Sequence, residues 1–254
     1  MIRLGDAVIG IGFVALVFLA LLWVPPAQFF TQPESARIIV YHVPAAILCV
    51  VAFLMGGYFA FRYLTTKEWT HDIRSCAANE VGLLFCILAT ATGMIFAKQQ
   101  WGAYWSWDPR QTTILIQMLI YIGYFALRSS IEDDRQRAAY SAGYGLFAAI
   151  SVPFLIFVLP RIMSDSLHPS NTLMDRSALS IEYKTTLYLA FALYFVTVMI
   201  LYRRRVDVGI LEAKANELAS RNDRGSTDNL GWSVGIPADA ERQAPSSPED
   251  DRGG

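Results

Sequence analysis

The chain has 254 residues, of which 54% are hydrophobic and only 17% charged, against about 25% charged residues in ordinary globular proteins. With 21 Lys and Arg against 22 Asp and Glu, its net charge of −1 excludes a global basic field of the kind nucleic acid needs. The balance excludes an ordinary soluble fold and points to an all-α, polytopic membrane protein.

A hydrocarbon core of about 30 Å takes roughly 20 helical residues. Six apolar runs reach that length, near 7–24, 38–61, 77–97, 111–128, 138–160 and 181–202. None shows period-2 alternation, so a helical bundle rather than a β-barrel is expected. The first run is too long for the apolar core of a signal peptide and leaves through Val24-Pro25-Pro26, which offers no small-residue cleavage site. It is read as an uncleaved helix. Between the runs, Lys and Arg fall unequally. One side holds Arg3, Arg62, Lys67, Arg74, Arg128, Arg135, Arg137, Arg203, Arg204 and Arg205; the other holds Arg37, Lys98, Arg110, Arg161 and Arg176. The excess places both termini in the cytoplasm and the loops near 25–37, 98–110 and 161–180 outside, in the periplasm of a Gram-negative cell.

The expected organisation is a six-helix transmembrane domain over 1–205 and a cytoplasmic tail over 206–254. In the tail, Val208, Leu211, Ala215 and Leu218 share one helical stripe. That short amphipathic helix could lie along the membrane, dock a partner, or simply continue the last span. From Arg221 onward Pro, Ser, Gly and charged residues dominate, a composition of disorder.

Several chemistries lose their usual signatures. Cys49 and Cys86 sit within spans and Cys76 at a cytoplasmic span end, so an external disulfide is not expected. The chain has no C-x-x-C-H for covalent haem attachment, no phosphate-binding P-loop, no zinc-type cluster and no G-x-S-x-G elbow. Of three histidines, His71 reads as a solvated residue of a cytoplasmic loop. His42, in Tyr41-His42-Val43-Pro44, and His168, in Leu167-His168-Pro169, fall on the same external face. Each alone is an ordinary interfacial histidine. Together they could fill both axial positions of a haem iron. Glu80, near the start of the third span, is either snorkelling or part of a buried polar site.

The second external loop reads Trp101-Gly102-Ala103-Tyr104-Trp105-Ser106-Trp107-Asp108-Pro109-Arg110, with three of the six tryptophans within seven residues. An interfacial aromatic belt explains one or two such rings. A flat macrocycle bearing carboxylates explains the whole run: indole faces to stack on, Arg110 for a propionate and Gly102 for close backbone approach. Asp108 and Pro109 would open the next helix, at its N-cap and first turn.

These residues carry a resemblance. Trp101, Gly102, Trp105, Trp107 and Asp108 form the tryptophan-rich signature of haem-handling proteins of cytochrome c maturation. The six spans, Tyr41-His42-Val43-Pro44-Ala45, Glu80-Val81-Gly82, Thr92-Gly93 and Leu167-His168-Pro169 look like the haem exporter C family, the CcmC branch, over about 5–205. The resemblance implies a protein of the cell inner membrane that is not an enzyme. It would hold haem b non-covalently, in transit, at the outer face, with His42 and His168 as axial ligands and Trp101, Trp105, Trp107 and Asp108 as platform. It also implies delivery to a periplasmic haem chaperone of the CcmE type, beside ABC-type ATPase and permease subunits (CcmA and CcmB types) and a small CcmD-type subunit. Tyr104 to Pro109 are also similar to haem lyases and larger cytochrome c synthase subunits, which leaves direct attachment of haem to apocytochrome as an alternative. A haem or small-solute permease is a further one. It would need a polar path through the spans, for which Glu80, Glu182 and Lys184 are the only evident acidic or basic groups.

Overall fold

The computed structural model describes residues 4–28, 30–163, 166–168 and 179–231, with side chains as far as Arg221. All regular structure among them is helical. The helices are α1 (Leu4–Phe18, continued by a π-turn over Leu19–Trp23), α2 (Ile39–Thr66, entered through a 3-10 turn at Ser35–Ile38), α3 (Trp69–Trp101), α4 (Pro109–Ser129), α5 (Asp134–Pro153), α6 (Leu159–Ile162) and α7 (Ile181–Gly231). Six segments are long and apolar enough to cross a membrane: Gly5–Trp23, Ser35–Thr66, Trp69–Trp101, Pro109–Ser129, Asp134–Ile162 and Ile181–Arg221. All six expected spans are present, in an all-α polytopic membrane protein.

Contacts group the chain into two units, Met1–Ile210 and Leu211–Gly254. The first holds the helix core and everything below. The second is helical as far as it is described, and residues 232–254, within the expected disorder, lie outside the described residues.

The elements overrun the apolar runs at their ends. α2 and α3 are separated only by Lys67 and Glu68, with Lys67 in the left-handed conformation (φ 59°) and its N–H on the Tyr63 carbonyl at 2.8 Å. The polar loop expected around residues 62–76 is therefore mostly helix, and this corrects the reading of His71. It lies on the first turns of α3, 7% exposed, its ring stacked on Phe59 at 6.0 Å. Beside it Asp72 is buried and takes both guanidinium nitrogens of Arg128, at 2.8 and 2.6 Å, which ties α3 to the end of α4. Glu80 is half-buried and ion-paired with Arg205 of α7. For His71 and Asp72 local polarity suggested solvent; packing on Phe59 and pairing with Arg128 put them inside.

α2 packs along α3 and α5, and α4 closes against both α3 and α5. Small residues allow close approach, as at membrane helix crossings generally. A Cβ on Gly57 would collide with Ala149, and one on Gly82 with Phe53. Pro153 lacks an N–H and is followed by a π-turn over Phe154–Val158, which carries the chain into α6.

Candidate functional site

The tryptophan loop joins α3 to α4, and its ends are fixed by backbone chemistry. Gly102 caps α3 at φ +83° with its N–H on the Lys98 carbonyl at 3.1 Å. A left-handed C-cap favours glycine because it lacks a Cβ. Nothing lies within 4 Å of where a Cβ would sit, so conformation rather than space selects glycine here. Asp108 caps α4, accepting from the Arg110 amide at 2.9 Å with Pro109 in the first turn, as the sequence led one to expect. Trp107 is left-handed at φ 58°, a strained state for a bulky residue. That turn sends neighbours opposite ways: Trp107 is 69% exposed and Asp108 3%. Gln111, one turn into α4, accepts from the Ser106 amide (2.9 Å) and hydroxyl (3.1 Å) and donates to the Tyr104 carbonyl (3.3 Å). It holds the loop from below.

Behind this loop lies a cavity of about 150 Å³. Its polar wall is His42, His168, Arg110, Gln111 and Thr113; Trp105, Ile114, Ile156 and Met94 supply apolar surface. His42 comes from the first turns of α2 and His168 from the short described segment 166–168, so the fold brings the two expected histidines to one place.

Each imidazole is oriented by an acceptor. His42 Nδ1 donates to the Ala89 carbonyl at 2.9 Å, with Thr92 Oγ1 at 3.1 Å. His168 Nδ1 donates to Asp108 Oδ1 at 2.9 Å. A carbonyl or carboxylate on Nδ1 places the proton there and leaves the Nε2 lone pair free, the arrangement found behind metal-bound histidines. Gly93 sets the His42 ring: a Cβ there would lie 2.9 Å from its Cε1.

Asp108 accepts from four donors. Besides the Arg110 amide and His168 these are the Leu167 amide at 2.6 Å and the Ser166 hydroxyl at 3.1 Å. Burial alone would raise its carboxyl, but the Arg110 amide, the His168 ring and the 166–167 donors hold it below the usual carboxylate range. The His168 imidazole is pushed below its ordinary value by burial, against the pull of Asp108. The neutral imidazole is favoured.

The tryptophans divide their work. Trp101 meets His168 edge-on at 4.7 Å and Phe96 at 5.6 Å, and Phe96 in turn meets Phe30 at 5.8 Å. Trp105 lines the cavity and packs edge-on against Trp107 at 5.7 Å. Arg110 also lines it, and its Nε is buried with no hydrogen-bond partner among the described residues. The eight expected site residues thus gather in one region. Sequence reasoning gave no role to Gln111, Ser166, Thr92 or Gly93. Gln111 carried a signal, an amide in the first turn of a membrane helix. Thr92 and Gly93 had entered only as part of the resemblance; what they do, like what Ser166 does, became legible only once α2, α3 and the 166–168 segment met.

Comparison with known proteins agrees with this geometry. Residues 4–221 match the family described as Heme exporter protein C. A Heme exporter protein C of Bradyrhizobium diazoefficiens is 29% identical over 215 residues, 79% of this chain and 80% of that protein. One from Rhodobacter capsulatus is 30% identical over 208 residues, 76% and 84% of the two chains. One from Escherichia coli is 31% identical over 153 residues, 60% and 61%. A match over nearly all of the helical chain, with the two histidines and the tryptophan loop on one cavity, makes this protein a member of the Heme exporter protein C family.

Proposed function

We propose that the protein binds haem b at the outer face of the bacterial cytoplasmic membrane and passes it to a periplasmic chaperone of the CcmE type during c-type cytochrome biogenesis. The carrying observation is the pair of histidines on one cavity, each with Nδ1 held by an acceptor and Nε2 left as a lone pair. Two such imidazoles suit the two axial positions of a haem iron. Arg110, with an unpartnered buried Nε at the same wall, suits a propionate. A space of about 150 Å³ is of the size that takes a benzene-sized group. It receives one edge of the macrocycle, and the rest lies against Trp105 and the exposed Trp107. Haem is cargo here: the chain presents it and carries out no turnover chemistry of its own.

The lysine and arginine bias supports an external position for this face and cytoplasmic termini. Partners follow from the same reading: the chaperone at the tryptophan loop, and the CcmA, CcmB and CcmD types as neighbours in an export complex. The test is a haem titration of the purified protein. A six-coordinate, low-spin spectrum is expected. It should become five-coordinate, high-spin in His42→Ala or His168→Ala, and chaperone loading should fall with it. An unchanged spectrum in the double variant would overturn the ligand assignment.

A further inference from the structure

The inward face of α4 is unusual for a membrane helix. Its buried residues are Pro109, Gln111, Thr113, Gln117, Tyr121 and Tyr124, with no Ala, Val, Leu, Ile or Met among them. Thr113, Gln117, Tyr121, Tyr124 and the half-buried Arg128 follow one another at spacings of three or four, so they form a single stripe. It begins at the cavity, which Thr113 lines, and ends at the Asp72–Arg128 ion pair.

These groups are poorly satisfied by protein. Among the described residues the Tyr121 hydroxyl has no hydrogen-bond partner and the Tyr124 hydroxyl has only the Asn79 amide, outside good geometry, although both residues are 0% exposed. Asn79 of α3 faces Tyr124 and is also 0% exposed, with neither amide atom in a hydrogen bond of good geometry. The Ser141 hydroxyl of α5 is equally buried and has no partner among the described residues. Gln117 and the Ser151 hydroxyl meet only at 3.4 Å. A buried polar group without a partner is costly, and in a bundle core internal water is the ordinary remedy. Four residues of helix rise about 6 Å, which one bridging water spans with a hydrogen bond on each side.

We propose that the polar stripe of α4 holds a file of internal water linking the cavity to the Asp72–Arg128 pair, and that this file gives protons a path through the bundle. A proton taken up at one end is matched by one released at the other, each oxygen accepting from one neighbour and donating to the next, so nothing in the file is consumed. The stacked Phe53 and Tyr121 rings, 3.6 Å apart, wall it on one side. The inference stands on α4 and its neighbours and does not depend on the cavity's cargo.

The test uses the full chain in lipid nanodiscs and proteoliposomes. Radiolytic hydroxyl-radical footprinting modifies side chains next to bound water even when they are buried. Tyr121 and Tyr124 should be modified several-fold faster than Tyr183, which is as buried but bonds its hydroxyl to the Ala36 carbonyl. In proteoliposomes under a potassium–valinomycin potential, proton uptake should exceed that of protein-free vesicles. It should fall several-fold in Gln117→Leu and Tyr121→Phe, variants that keep volume. Tyrosine modification no faster than at Tyr183 would overturn the water file. Modification without proton uptake above empty vesicles would overturn the path. Haem binding measured in parallel should stay unchanged in both variants, which separates a failure here from a failure of the haem reading.

Discussion

Asp108 shows how one residue can serve both a helix end and a distant histidine. Its carboxylate accepts from the first turn of α4 and from residues 166–168 together. Loss of an N-cap alone costs about 1 kcal/mol, whereas a hydrogen bond to a charged group contributes about 1.5–3 kcal/mol. Asp108→Ala is therefore expected to do more than fray α4. It should release His168 and lower haem affinity by about tenfold to a hundredfold at roughly 1.4 kcal/mol per decade, read by Soret titration. Asp108→Asn, which keeps an acceptor oxygen, should lie between. The tryptophans should also separate. Trp101→Leu and Trp105→Leu remove rings against His168 and the cavity, each worth about 0.5–1.5 kcal/mol beyond burial, and should reduce haem retention. Trp107→Leu changes an exposed ring and should spare retention while lowering chaperone loading. Equal, near-normal retention in all three would favour an aromatic belt.

At the scale of elements, the His42 ring rests on a glycine of the neighbouring helix. Gly93→Ala places a methyl group within 2.9 Å of His42 Cε1. Overpacking of this kind costs about 1–3 kcal/mol, and if the ring is the proposed haem ligand it should appear as weakened haem binding with near-normal protein abundance. A wild-type Soret titration for this variant would mean that the ring can shift freely. At the other end, Asp72 and Arg128 hold α3 and α4 together by two short hydrogen bonds in a buried setting. Removing one partner of such a pair leaves an uncompensated charge, at about 3–5 kcal/mol. Asp72→Ala should thus lower thermal stability in detergent far more than Arg62→Ala, a half-buried control whose guanidinium, among the described residues, bonds the Tyr58 hydroxyl at a long 3.4 Å. Comparable melting temperatures would show that the pair contributes little.

For the whole molecule, function depends on which face the tryptophan loop occupies. Reporter fusions after Thr172 should give an external signal and those after Arg205 a cytoplasmic one. The reverse pattern would place the cavity on the wrong side for a periplasmic acceptor. The span count and the class needed only length and apolarity, which are local properties of the chain. For the same reason the helix ends were the least legible part. Lipid-length runs mark the hydrocarbon core, while α2 and α3 continue past it on polar residues.

Sequence alone determined the six spans, the cap at Asp108, and the nomination of His42, His168 and the tryptophan run, because each rests on residues near one another in the chain. The tertiary structure decided everything that depends on helices meeting. It buried His71 and Asp72, gave Asp108 its bond to His168 and set Gly93 against the His42 ring. It also turned the polar stripe of α4 inward. Those contacts join residues tens of positions apart, and no local pattern encodes which faces of α2, α3, α4 and α5 come together.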